Sequence, residues 1–237
     1  ITQLSSLTPT QKLQRAYVEL MGHNATKAFA GVLLVGKYFV DGSHTPTACT
    51  DGIDCWYSPE FIGKQDDATL RGLILHENLH KLYQHMFLWI HLYNEDARTA
   101  NKACDYVINL IIADMDKRTN GFVRLPEGGL LDERFRGMDS QRVYNILRSE
   151  KDSNSSGEGE RGGEGEGFDD HNWGRSEAMS PEDVEQVRRE IDQAILQGQL
   201  MAGKLGADQP RELSDLLEPK IEDRKSTRLN SSHTDIS

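Results

Sequence analysis

Residues 76–80 read His-Glu-Asn-Leu-His and sit inside LRGLILHENLHKLYQHMFLWI (70–90), the most helix-like run of the chain. Positions four apart share a helix face, so His76 and His80 can present two imidazole nitrogens to one ion. Glu77 lies about 100° further round, within reach of a metal-bound water whose proton it could take. This is the zinc metallopeptidase pattern, and it predicts a Zn2+ centre with His76 and His80 as ligands and Glu77 as general base. Leu73, Ile74, Leu75, Leu79 and Leu82 surround the pattern with aliphatic bulk. Two histidines and a carboxylate there would lose hydration, at a cost that a bound cation offsets. The competing reading, two ordinary core histidines, leaves that cost standing.

Zinc usually takes three protein ligands. His85 falls about 180° round a straight helix from His76, and Lys81–Gln84 contains no glycine that would let the chain fold back. His91 returns to the correct face but lies roughly 16 Å along the axis from His80. A later helix should therefore supply the third ligand. The candidate segment is NEDARTANKACDYVINLIIADMD (94–116), apolar round most of its circumference. Through it runs a polar stripe of Asn101, Asp105 and Asn109, with Arg98 on the same side. Asp105 is the expected ligand, with Asn101 and Asn109 holding it from behind. The alternative is a structural ion pair between Asp105 and Arg98. Glu95 and Asp96 sit at a helix start, where acids are common anyway, and Asp114 faces away from Asp105. By residue type, His85, Tyr83 and Tyr106 are candidates for stabilising an oxyanion.

The elements that must position these groups follow from local patterns. A first helix is expected over 8–25, with Thr8 or Thr10 as cap and Pro9 in its first turn. AGVLLVGKYFV (30–40), a turn at Thr50-Asp51-Gly52 and Ile53–Tyr57 read as strand, turn and short hairpin. A strand within 44–57 either offers an edge to substrate backbone or is merely structural. Turns fill much of 117–150, ending in a helix over Ser140–Arg148. EKDSNSSGEGERGGEGEGFDD (150–170) is too poor in apolar residues to bury a core and reads as a flexible acidic linker. It lacks the ligand spacing of a calcium loop. Ser180-Pro181-Glu182-Asp183 starts a further helix that runs to about Lys204, with Gly206 as stop. Its apolar face (Val184, Val187, Ile191, Ala194, Ile195, Met201) should pack back on the first part, and a shorter helix follows Pro210. His171 and Trp173 read as a docking point at most. The expected class is α+β, mainly α-helical, with a small hairpin or sheet beside the metal-binding helix. The stretches are 1–149 (metal domain), 150–172 (linker), 173–222 (helical segment) and 223–237.

With 27 basic and 38 acidic side chains, net charge −11, the chain is a poor prospect for nucleic acid. The apolar helix near 73–92 carries too many polar groups to span a membrane. Three cysteines, Cys49, Cys55 and Cys104, are a sparse and odd set that suits a reducing, cytoplasmic setting; Cys49 and Cys55 could pair if exported.

Five blocks occur in a recognisable order: TACTDGIDCWYSPEFI (47–62), LILHENLHKLYQH (73–85), NKACDYVINLII (101–112), LPEGGLLDERFRGM (125–138) and a stretch ending EPKIED (218–223). Together they resemble the putative metallopeptidase domain of bacteria and phages, often followed by a von Willebrand A-like segment. The resemblance covers most of residues 7–222 and includes His85, Asn101, Asp105 and Asn109. It implies a zincin-like fold and metal-dependent hydrolysis of a peptide or protein substrate. A hypothesis from a different class is a catalytically silent, metal-stabilised interaction module working with a von Willebrand A-like domain or an ATPase; an open fourth position on zinc would separate the two. The ending DRKSTRLNSSHTDIS (223–237) departs from the pattern; it resembles a translated sequencing adapter and reads as a non-native tail.

Overall fold

The structure, a computed structural model, describes residues 7–155, 171–208, 210 and 213. Helix α1 (Pro9–Gly22) starts in a capping box: Thr8 Oγ1 accepts from the Gln11 amide while Gln11 Oε1 accepts from the Thr8 amide. Its inner face of Leu13, Ala16, Tyr17 and Leu20 is buried. The apolar run that reads as a strand behaves differently. Ala30–Leu33 forms a short helix, α2, and only Tyr38–Val40 is extended, as β1. Tertiary packing overrides the β-branched pattern here. A side chain on Gly31 would meet the Ala194 carbonyl at 1.8 Å, so α2 lies flush against a later helix.

Strands β2 (Ala48–Thr50) and β3 (Cys55–Tyr57) form the expected hairpin. Asp51 Oδ1 closes its turn by accepting from the amides of Ile53 and Asp54. Strand β1 joins β3 in parallel, so the small mixed sheet has the order β1-β3-β2 with β2 at an edge. After α3 (Pro59–Lys64), helix α4 (Asp67–Leu82) carries the His-Glu-x-x-His pattern and is buried almost continuously from Thr69 to Leu82. It packs on α1, α2 and β2.

The expected helix over 70–90 breaks after Leu82. Gln84 adopts a left-handed conformation, φ 53°, and the chain resumes as α5 (His85–Leu88) and α6 (Ile90–Glu95). Such a conformation costs a non-glycine residue about 1–2 kcal/mol. It is held by two side-chain bonds: Gln84 Nε2 donates to Asp192 (3.0 Å), and Gln84 Oε1 accepts from Arg188 (2.7 Å).

Helix α7 (Ala97–Thr119) is capped by Asp96, whose carboxylate accepts from the Thr99 amide. Helix α8 (Ser140–Ser155) lies along α7 and continues past Arg148 into the stretch that reads as linker. Ion pairs of Lys151 with Asp96 (2.7 Å) and of Glu150 with Arg134 (2.7 Å) hold this extension. Residues 156–170 of the expected linker, most of the segment after Pro210 and the stretch 223–237 lie outside the described residues. Helix α9 (Gly174–Ala178) precedes α10 (Pro181–Lys204), which begins at its Ser180 cap and lies across α2. The fold is α+β and mainly helical, with one core around α1, α2 and α4 and a second between α6, α7 and α8. No helix among the described residues is long and apolar enough to cross a membrane.

Candidate metal centre

Helices α4 and α7 lie side by side, and four donor groups converge between them and the chain at residue 171. His80 Nε2 is 3.1 Å from His76 Nε2 and 3.4 Å from Asp105 Oδ1. His76 Nε2 is 3.7 Å from the same carboxylate oxygen, and His171 Nε2 is 3.1 Å from it. One donor from each residue lies within 4.8 Å of all the others, and all four residues are buried. Four ligands held tetrahedrally at zinc–nitrogen and zinc–oxygen bond lengths are spaced by about 3.3 Å. The observed spacings bracket that value.

The hydrogen bonds behind the rings decide which way the lone pairs point. Asn109 Nδ2 donates to the Leu130 carbonyl (3.0 Å), so its Oδ1 is left to accept from His76 Nδ1 (3.0 Å). A neutral His76 with its proton on Nδ1 turns the Nε2 lone pair into the cluster. Behind His80 runs a relay in which His80 Nδ1 contacts His85 Nδ1 (3.1 Å) and His85 Nε2 contacts Ser140 Oγ (3.3 Å). With His80 Nδ1 and His85 Nε2 as donors, every partner is satisfied and the His80 Nε2 lone pair also faces inward. Burial, reinforced by the neighbouring imidazoles, pushes His80 well below the usual histidine range and His85 down to about 3. Both rings are therefore neutral at physiological pH, the form a metal requires. Three buried imidazoles and a carboxylate with donor atoms within 4.8 Å of one another call for a shared cation, so the residues fit a bound metal.

Glu77, adjacent to His76 on α4, is fully buried. It lies near Tyr57 of β3, whose phenol is raised by burial, by Cys55 and Tyr17, and then by Glu77. The three cysteines are buried and form no disulfide among the described residues.

A family profile described as a putative metallopeptidase domain matches residues 8–229. The chain belongs to that family. No curated protein and no solved structure gives a match. The metal that a metallopeptidase family implies thus has a buried His/Asp group able to receive it in this member.

In this metallopeptidase-family domain the structure brings together His76, His80 and Asp105, the residues that spacing singles out, and it rearranges their supports. Asn101 does not hold Asp105; it accepts the Trp173 indole N–H (2.8 Å). Asn109 orients His76 instead. The break at Gln84 carries His85 back behind His80, where a straight helix would have put it on the far side. Arg98 is exposed and lines an outer groove of about 940 Å³ with Lys102 and Arg142, whereas Asp105 is buried against His171. That groove shares no residue with the cluster. Tyr106 packs edge-on against Phe135, and Tyr83 lies beside His85.

His171 is the donor that the sequence reading missed. It sits at the end of the acidic, glycine-rich stretch, where composition argues for linker. The available signal was the local pairing of His171 with Trp173, two residues that profit from burial at the end of a run that otherwise offers nothing to bury.

Proposed function

We propose that this domain is a zinc-dependent peptidase, with His76, His80 and Asp105 as metal ligands, His171 as a further donor and Glu77 as general base. The observation that carries the reading is the buried convergence of one donor atom each from His76, His80, Asp105 and His171 within 4.8 Å, with Asn109 bonded behind His76 and the His85–Ser140 relay behind His80. The nitrogen-rich donor set suits zinc and disfavours calcium or magnesium, which prefer oxygen. A zinc ion held there would polarise a scissile carbonyl and bring a water within reach of ionisation near neutral pH. Glu77 takes the water proton and passes it to the departing amine. His85 is neutral and placed behind His80, so it fixes the orientation of that ring and does not act on the substrate. Strand β2, packed on α4, offers the edge along which peptide backbone can lie.

One observation favours a second reading, a closed metal-stabilised interaction module serving a von Willebrand A-like domain or an ATPase. Four protein donors complete a tetrahedron, whereas catalytic zinc keeps one position open. Elemental analysis of the purified chain and of His80→Ala tests the metal; about one zinc per chain, lost in the variant, is expected. Chelator-sensitive cleavage of a mixed peptide library, assayed in the wild type and in His171→Ala, tests the chemistry. Adding Glu77→Gln should keep the zinc and abolish turnover; cleavage surviving that change would defeat the assigned base.

A further inference from the structure

We propose that residues 171–175 are an intramolecular stand-in for substrate, a strap that closes the metal position and keeps the domain latent until it is displaced. The proposal rests on the peptidase reading above and adds to it a mode of regulation and a substrate class.

The first argument is backbone register. Between β2 and β3 the bonded residues are odd-numbered on β2: Ser58 donates to the Thr47 carbonyl and Asp51 donates to the Asp54 carbonyl. The carbonyl of Thr50 therefore faces outward from the sheet edge, and it accepts from the Asn172 amide (3.1 Å). A peptide entering beside α4 would pair with this same edge. The second argument is the alternation of side chains. His171 and Trp173 are buried while Asn172 and Gly174 are exposed, and the Trp173 amide donates back to the His171 carbonyl (3.2 Å), so a tight turn presents both rings to the metal domain before helix α9 begins.

Each inward or charged side chain has a built receptor on the metal domain. His171 Nε2 meets Asp105 Oδ1 at 3.1 Å, in the position a substrate carbonyl or water would need. The Trp173 indole donates to Asn101, stacks on Tyr93 at 4.7 Å and packs against Met86 and Cys104. Arg175 bonds to both Asp51 and Asp54, at 2.9 Å each, across the hairpin turn. Between these anchors and helix α10, which packs on α2, helix α9 buries no residue. The surface under the strap thus receives a bulky aromatic side chain at Asn101 and Tyr93 and, two residues further on, a basic one at Asp51 and Asp54. Peptides with an aromatic residue followed two positions later by Arg or Lys are the matching substrate class.

The test uses the full zinc-loaded chain and a fluorescent peptide of sequence His-Asn-Trp-Gly-Arg-Ser, read by anisotropy. The wild type should bind it weakly because its own strap competes. Arg175→Ala, which removes a half-exposed ion pair and spares the core, should bind about tenfold tighter, and His171→Ala combined with Trp173→Ala at least about a hundredfold tighter. Peptides lacking the Trp or the Arg should lose this gain. In Co2+-loaded protein, His171→Ala should keep the metal and change its visible absorption, and added peptide should reverse the change. Equal peptide binding by the wild type and Arg175→Ala would overturn the strap, as would loss of Co2+ in His171→Ala. Tight binding by the variants without cleavage by any of them would leave the strap standing and remove the peptidase reading. Chelator-sensitive cleavage by the wild type, with no gain in peptide binding by the variants, would do the reverse.

Discussion

Asn109 gives the most direct test of how the centre is built, because it bonds to His76 on one side and to the Leu130 carbonyl on the other. Asn109→Ala removes both contacts. The His76 ring is then free to rotate or change tautomer, and its Nε2 lone pair is no longer fixed toward the cluster. Loss of a hydrogen bond behind a metal-binding histidine typically costs 10–100-fold in metal affinity, about 1.4–2.7 kcal/mol. The metal-free protein pays separately, since a buried carbonyl and a buried imidazole N–H lose their partners; about 2–4 kcal/mol is expected. Two measurements separate these effects. Competition against a chromophoric chelator gives the metal affinity, and urea unfolding in excess chelator gives the metal-free stability. The reasoning fails if the variant loses stability in chelator yet binds zinc within about twofold of wild type, for then Asn109 supports the fold without orienting the ligand.

Two further outcomes follow from the same geometry. Because His85 titrates at about 3 in the fold against 6.5 when unfolded, the unfolded chain binds a proton that the native state refuses throughout that interval. Metal-free stability should therefore be greatest above pH 6.5 and fall as pH is lowered, by about 3 kcal/mol at pH 4 from His85 alone; a flat urea profile between pH 7 and 5 would contradict this. At Gln84, alanine keeps the left-handed backbone and loses the bonds to Asp192 and Arg188, whereas glycine loses the bonds and relieves the strain. Gln84→Gly should be about 1 kcal/mol more stable than Gln84→Ala in chemical denaturation, and the opposite order would mean that the conformation is not strained.

Much of this was readable wherever the determining interaction is local. Thr8 with Pro9 and Ser180 with Pro181 mark helix starts that need nothing beyond neighbouring residues, and Gly206 marks a stop in the same way. The pairing of α4 with α7 was legible because Asp105 is a carboxylate in an apolar helix and must find a partner. What escaped reading depends on contacts far along the chain. The helix at Ala30–Leu33 answers to α10, whose backbone comes against Gly31. The break at Gln84 depends on Asp192 and Arg188, more than a hundred residues later. Local composition also hid His171, because the acidic run before it describes solvated chain and carries no information about where that chain returns.

His171 and Asp105 meet across 66 residues of sequence. Closing a loop of that length restricts the unfolded ensemble by about 4 kcal/mol, so a cation shared by both residues acts as a reversible cross-link as well as a cofactor. Synthesis imposes an order: α4 and α7 leave the ribosome first and can meet before residue 171 exists, so each new molecule passes through a three-donor stage before it is sealed.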